Sequence, residues 1–461
     1  PVDPEPSALD WELDEVTERF VAGPVQVSLR HSLDRTWNIR ILLTNTGDHP
    51  VMVDRLGLGP EPGPQWIGWV ACEGAEASVA MLSSTRRAIL GFSLLQGELR
   101  SPDLAGAGPI EIGGLVLEPG GRHVVSLRGD WYDGPAPLAR TRPNCVPAWD
   151  WWEVGAVVGL EHPDQALVGH RTTPEGIGLE PHEHDWATEI EGVEPGRIHL
   201  ELAGPRGRVE VDLGFAPSVD ELVAAVVARA EARWPRGRQG MRLDALADAV
   251  VLQRHAQLAA GGRLLQSDVE DALDGLVGRI DDDGAFAVAV LAGRAVLTGD
   301  RDLAERATRA LARMPGDQCR ALVLGQVMGA RQVVGLDPRS GIELTAPAPE
   351  VGDDLATQLS RSIEDPAGRE AVTELGVHWG LGLRGRRWGG TDLVGEARLV
   401  AIGCLMTELG PPASGGGAIG FEELLEQHHR RVRGEVWSRI GEDASVAVEA
   451  LAWLVLAPPV L

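Results

Sequence analysis

The chain has 461 residues, 44% of them hydrophobic and 24% charged, ordinary proportions for a globular protein with room for two or three domains. Its formal charge is −26 and both halves are acidic, which argues against a nucleic-acid backbone or an anionic membrane surface as a partner. All 42 basic residues are arginine, and in so Ala- and Gly-rich a chain GC-rich coding explains the missing lysine.

Cys72, Cys145, Cys319 and Cys404 show no short spacing. Neither a metal knuckle nor a disulfide framework is expected, and free thiols imply a reducing, cytoplasmic setting. No signal peptide is recognised. The most apolar run, residues 447–461, is short, contains Glu449 and ends near Pro458-Pro459, so no membrane span is expected.

Residues 1–20 read as an acidic arm anchored by Trp11 and Phe20. From Pro24 the period becomes two. In residues 37–45, Trp37, Ile39, Ile41 and Leu43 fall on one face of a strand, and Asn38, Arg40 and Thr44 on the other. The cluster Asn45-Thr-Gly-Asp-His-Pro50 predicts a turn, with residues 51–56 as the return strand of a hairpin. Further strands are expected over 66–71, 88–95, 110–117, 123–127, 154–160, 186–190, 198–202 and 209–215, punctuated by Gly and Pro. Many short strands without helical patterns between them predict an antiparallel β-sandwich over residues 21–216. The Trp-rich stretch 147–152 marks a seam there or a contact with the rest of the chain.

The character changes at Ala216-Pro-Ser. Ser218 and Glu221 form a capping box ahead of helically spaced apolar residues, and Ser267 and Glu270 repeat it. Asp283 is positioned to cap a helix over 285–297 that is apolar almost all round, which suits burial. Thr298-Gly299-Asp300 turns the chain, and Asp300 caps a second helix with one apolar stripe: Leu303, Ala307, Ala310 and Leu311. Asp317 is placed to cap a helix in which Gly325 and Gly329 would admit a close neighbour. More helices fit 354–363, 369–379, 393–409, 420–440 and 444–456. Residues 217–461 are therefore expected to form an all-α domain of helical hairpins. No fixed repeat period is present.

Four constellations are candidates for chemistry. Asp281-Asp282-Asp283 precedes the buried helix, where carboxylates serve as acid and base, as ligands of Mg²⁺ or Ca²⁺, or as a cap with solvated neighbours. His182 and His184 fall on one face if extended, but no third metal ligand is nominated. His428 and His429 are adjacent on a helix and point in different directions, which disfavours chelation. Residues 378–392 form the most unusual loop, with five glycines, two tryptophans, three arginines and an acid. In it Trp379 and Trp388 offer stacking surfaces, Arg384, Arg386 and Arg387 offer donors, and Asp392 offers a carboxylate. This loop is expected at a rim or a domain interface. No phosphate-binding loop, dinucleotide fingerprint or nucleophile elbow is present, and no cofactor is indicated.

Asp281-Asp-Asp-Gly-Ala-Phe286, leading into an Ala/Leu-rich helix and then Thr298-Gly-Asp-Arg-Asp-Leu303, resembles phrases that open helix pairs in six-hairpin (α/α)-toroid glycosidases and related polysaccharide lyases. An N-terminal β-sandwich before helical hairpins is similar to the same group. The resemblance implies a toroid-like helical domain and a carbohydrate-active hydrolase or lyase, with a carbohydrate or other small molecule as ligand. Asp281, Asp282 and Asp392 are the nominated carboxylates. The competing reading is a non-catalytic binding or assembly protein with the sandwich as its recognition module.

Overall fold

The computed structural model describes residues 16–33, 36–58, 66–83, 89–100, 110–162, 164–175, 181–183, 186–229, 236–237, 240–241, 243, 245–258, 266–281, 284–314, 319–340, 342, 375–383, 386–387, 392–409 and 420–458. An antiparallel β-sheet region comes first and a helical region follows.

The strands are β1 (Val16–Ala22), β2 (Val25–Leu33), β3 (Trp37–Asn45), β4 (Val51–Leu58), β5 (Trp66–Gly74), β6 (Ser78–Ser83), β7 (Ile89–Gln96), β8 (Ile110–Leu117) and β9 (Arg122–Tyr132). After the short helix α1 (Pro135–Ala139) come β10 (Trp151–Glu153), β11 (Val157–Glu161), β12 (Ala166–Thr173), β13 (Pro181–Glu183), β14 (Ala187–Glu191), β15 (Gly196–Gly204) and β16 (Gly207–Ala216). One continuous sheet runs β1-β2-β3-β9-β7-β6-β5-β16-β15-β12. Two small sheets cover it at separate places. The β4–β8 pair closes a core that includes Ile41, Leu43, Phe92, Val125 and Ile112. The β11-β14-β13 sheet closes a second core, with Val158, Leu160 and Ile190 against Ile198, Leu200 and Val211. The layered arrangement follows from alternation: Ile39, Ile41 and Leu43 are buried on β3, as their period of two requires.

Several expectations need correction. Residues 51–58 do not return beside β3. They pair with β8 in another sheet, while β3 lies between β2 and β9. Buried Asn45 directs this crossing, since its amide donates to the His49 carbonyl at 2.8 Å and to the Leu117 carbonyl, at the end of β8, at 2.9 Å. The arm is not anchored by Phe20, which is 50% exposed on β1, a strand paired along β2; Trp11 lies outside the described residues. The sheet is not wholly antiparallel either, because β10 runs parallel to β16 over three residues. Finally, Gly325 and Gly329 admit no close neighbour, since a Cβ on either would meet nothing within 4 Å.

The helical region contains α2 (Val219–Arg229), α3 (Leu246–Gln257), α4 (Gln266–Val277), α5 (Ala285–Thr298), α6 (Arg301–Arg313), α7 (Arg320–Val333), α8 (Leu393–Leu409), α9 (Phe421–Arg439) and α10 (Ala444–Leu456), besides the short β17–β18 hairpin at 236–241. They share one apolar core. Helix α2 opens with the reciprocal Ser218–Glu221 capping box, in which the Ser218 amide donates to the Glu221 carboxylate at 2.7 Å. Helix α5 is buried from Ala285 to Ala295 apart from partly buried Phe286 and Gly293, and it packs on α3, α6 and α7. Its N-cap is Gly284, not Asp283, which lies outside the described residues. It ends at Gly299 in the left-handed conformation, φ 70°, where glycine carries no Cβ penalty. Asp300 then caps α6 by accepting from the Asp302 amide at 2.8 Å. The start of α4 at Gln266 puts Ser267 inside the first turn, not at the cap. Asp317 and residues 351–374 lie outside the described residues.

Several contacts tie the regions together, among them an apolar cluster of Val377 and Leu383 with Trp69, Leu82 and Ile89. Helix α9 packs across β10, β15 and β16. Arg386–Arg387, labelled β19, adds an antiparallel strand to β5 opposite Trp69 and Val70.

Candidate functional site

A narrow cleft with about 20 Å³ of free space, room for a water-sized group, lies where α9, the start of α8 and β5 meet. Trp69, His378, Trp379, Leu393, Glu396, His428, Arg431, Val432 and Glu435 line it. Local sequence explains how these side chains converge. His428, Arg431 and Glu435 recur at i, i+3 and i+7, which places them on one face of α9. Glu396 stands in the first turn of α8, where the helix dipole favours an anion. His378 and Trp379 end a helical turn in which the Trp379 amide donates to the Leu375 carbonyl at 3.0 Å. The chain then bends through Gly380 at φ 72° and Leu381 at φ 51°. A Cβ on Gly380 would stand 2.7 Å from Cε2 of Trp69, so glycine there lets the helical region close on the sheet.

The polar groups form a connected network. Glu396 accepts from His378 Nε2 on one oxygen and from the Trp379 indole N–H at 3.2 Å on the other. His428 donates from Nε2 to the Trp379 carbonyl oxygen at 2.8 Å, and its ring stacks on the Trp379 indole with centroids 5.1 Å apart at 10°. Arg431 lies over the Trp69 ring at 5.5 Å from its centroid. Glu435 pairs with Arg197 of β15 at 3.1 Å. Burial alone would raise the Glu396 carboxyl, but the charge and hydrogen bond of His378 outweigh it, with help from Arg431, and hold Glu396 below its ordinary range. Burial, reinforced by Arg431, pushes the His428 imidazole down to about 3, so it is neutral at physiological pH. The arrangement pairs an ionised carboxylate with one imidazole and sets a second, uncharged imidazole beside them.

Of the residues nominated from sequence, Trp379 lines the cleft, 1% exposed, stacked on His428 and not on the Trp149–Trp152 cluster. Asp392 does not line it. That carboxylate is exposed and accepts from the Val394 amide at 3.1 Å, which caps α8. Asp281 is exposed and likewise outside the lining. The backbone of Arg386 and Arg387 forms β19. Asp282, Arg384, Trp388 and His184 lie outside the described residues, and His182 is exposed on β13. Sequence reasoning passed over Trp69, His378, Glu396, Arg431 and Glu435, and it weighed His428 only as a metal ligand. Their helical spacing on α9 and the acid in the first turn of α8 were the available signals.

Among the described residues no group of three or more His, Cys, Asp or Glu is arranged to hold a metal ion, and no helix is long and apolar enough to cross a membrane. The four cysteines are buried and none is in a disulfide. No family model matches the chain, and no curated protein matches it. Among solved structures, a polysaccharide lyase matches over 93% of this chain and 82% of its own length at 12% identity, with a TM-score of 0.51. A TPR-domain containing protein from Parabacteroides distasonis covers 86% of this chain and 69% of its own at 11% identity, but its TM-score of 0.15 carries no structural argument. The likeness to the lyase structure is one of fold: this β-then-helical chain is built along lines already seen in a polysaccharide lyase.

Proposed function

We propose that the chain is a carbohydrate-active enzyme of (α/α)-toroid type, a lyase or hydrolase that cleaves glycosidic bonds at the cleft between β5, α8 and α9. The observation that carries this reading is the buried Glu396 carboxylate bonded to His378 in a cleft that also holds Arg431. A carboxylate bonded to an imidazole fixes its orientation, which suits His378 to proton transfer. Arg431 supplies positive charge where an oxyanion or an acidic sugar would develop or bind. The fold likeness to a polysaccharide lyase supports the same substrate class. Arg384, Arg386, Arg387 and Trp388 are proposed as further ligand contacts, and Asp281, Asp282 and Asp392 as further candidate catalytic carboxylates. The division into units at 21–216 and 217–461, with 1–20 preceding, belongs to the same proposal.

The test is incubation of the full chain with a panel of neutral and acidic polysaccharides, following reducing ends and the ultraviolet absorbance of an unsaturated uronide. Reducing ends with absorbance identify elimination; reducing ends alone identify hydrolysis. His378→Gln and Glu396→Gln should each lower the rate about 100-fold or more, the usual share of a general acid–base group. Variants that keep near wild-type rates, or a panel left uncut, sink the proposal. One observation favours the second reading, a binding protein: both Glu396 oxygens are already engaged within the chain. On that reading the panel is bound but uncut, and the two variants lower stability instead.

A further inference from the structure

The two imidazoles of the cleft are not equivalent. His428 Nε2 lies 2.8 Å from the Trp379 carbonyl oxygen, which only accepts, so the ring proton sits on Nε2. Stacking on Trp379 at 5.1 Å and an edge contact with Trp69 at 6.2 Å and 64° hold the ring plane, and a flip would break the bond to the carbonyl. A neutral imidazole protonated on Nε2 carries a bare lone pair on Nδ1. Among the described residues nothing hydrogen-bonds to that nitrogen. The ring is 3% exposed, and it lines the cleft. Nδ1 is not among the buried unpartnered atoms, so it opens on the cleft, and a ligand that covers it must supply the donor that water otherwise gives.

We propose that His428 is a specificity-determining residue whose Nδ1 accepts a hydrogen bond from a hydroxyl of the saccharide in the cleft, while His378 and Glu396 carry the proton. The assignment rests on the carbohydrate reading of the cleft. It divides the labour: one imidazole exchanges protons, and the other stays neutral and recognises a donor. A site built to bond a hydroxyl rejects ligands that lack it, because the buried acceptor is then left unpaired.

The test uses the full chain labelled with ¹⁵N in its histidine rings, with resonances assigned from His378→Gln and His428→Gln. At neutral pH the His428 ring should show a proton on Nε2 and a bare Nδ1. Cellobiose, as a neutral probe, and digalacturonate, as an acidic one, are then added in turn. The expected result is that a saccharide which perturbs His378 also moves His428 Nδ1 toward the hydrogen-bonded position. The variant His428→Gln keeps a donor for the Trp379 carbonyl but removes the lone pair, so it should melt close to wild type and bind the responding saccharide about tenfold to a hundredfold more weakly. A proton found on Nδ1 in the free protein, a response at His378 alone, or wild-type affinity in His428→Gln overturns the assignment and leaves the cleft reading standing. Silence at both histidines with both saccharides counts against the carbohydrate reading and this assignment together.

Discussion

A Cβ on Gly434 would lie 2.0 Å from Cζ3 of Trp151, so helix α9 rests directly on an indole of the sheet. The same ring covers its cross-strand neighbour Gly214, where a Cβ would come 2.2 Å from Cε3. Trp151 is 1% exposed and has no room to swing away. In a helix interior alanine is better than glycine by about 1 kcal/mol, but overpacking a fixed ring costs about 1–3 kcal/mol or more. Gly434→Ala should therefore lower the urea midpoint. An unchanged or raised midpoint means that α9 does not depend on this contact.

Gly325 tests the opposite case. It lies in α7, is exposed, and a methyl group added there would meet nothing within 4 Å. Gly325→Ala should stabilise the chain by about 0.5–1 kcal/mol through helix propensity and reduced unfolded-state freedom. A lower melting temperature would reveal a neighbour at that face.

These two glycines show what could be read from sequence. Apolar runs bounded by turn residues placed β8, α8 and α10 within the same bounds that the structure shows, because Gly, Pro or Asp flanks each end. The turn after Asn45 was also legible, but the destination of the next strand was not, since Asn45 reaches the end of β8 through contacts that no spacing reveals. A glycine's role depends on the other chain segment it meets: Gly434 meets Trp151 and Gly325 meets nothing. The cleft was half visible for the same reason. Trp379 stood out in a strange loop, whereas Trp69, His378, Glu396 and Arg431 acquire meaning only when β5, α8 and α9 come together.

Stability should fall on the acid side of neutrality. Burial pushes His428 and His429 each down to about 3; Arg431 reinforces this for His428, and Arg433 and Arg430 for His429. Both are neutral when folded, whereas an unfolded histidine gains a proton near pH 6.5. Between about 6.5 and 3 the unfolded chain binds more protons, so stability declines as pH falls through that window. Glu396, depressed in the folded state, works in the same direction and loses its contribution as pH falls through its folded value. His199 works in the other direction. Its hydrogen bond to Asp212 raises it against opposing burial, so its stabilisation is full below about 6.5 and is lost as pH rises through its folded value. His429→Leu removes one acid-side burden, and since His429 Nε2 has no partner to lose, the drop in melting temperature from pH 7 to pH 5 should shrink. An equal drop in variant and wild type would show that His429 is not a source of the acid sensitivity.

The ion pairs between α9 and β10 should prove unequal in their two halves. Glu153 accepts from both Arg433 and Arg430. Arg433 also donates to the Pro217 carbonyl at 3.0 Å, and its side chain is 7% exposed against 47% for Glu153. Removing the acid strands a buried guanidinium beside a second arginine, which is the expensive way to break such a pair. Removing the arginine leaves a half-exposed carboxylate that water and Arg430 still serve. Glu153→Gln should thus cost more than Arg433→Met, by roughly 1–2 kcal/mol once the exposure of Glu153 is discounted. The double variant should be less destabilised than the sum of the two singles, because methionine removes the charge that glutamine leaves unpaired. Urea unfolding of the three variants decides the matter. If Arg433→Met is the worse single change, the Pro217 hydrogen bond and the packing of the arginine stem, not the ion pair, fasten α9 to the sheet.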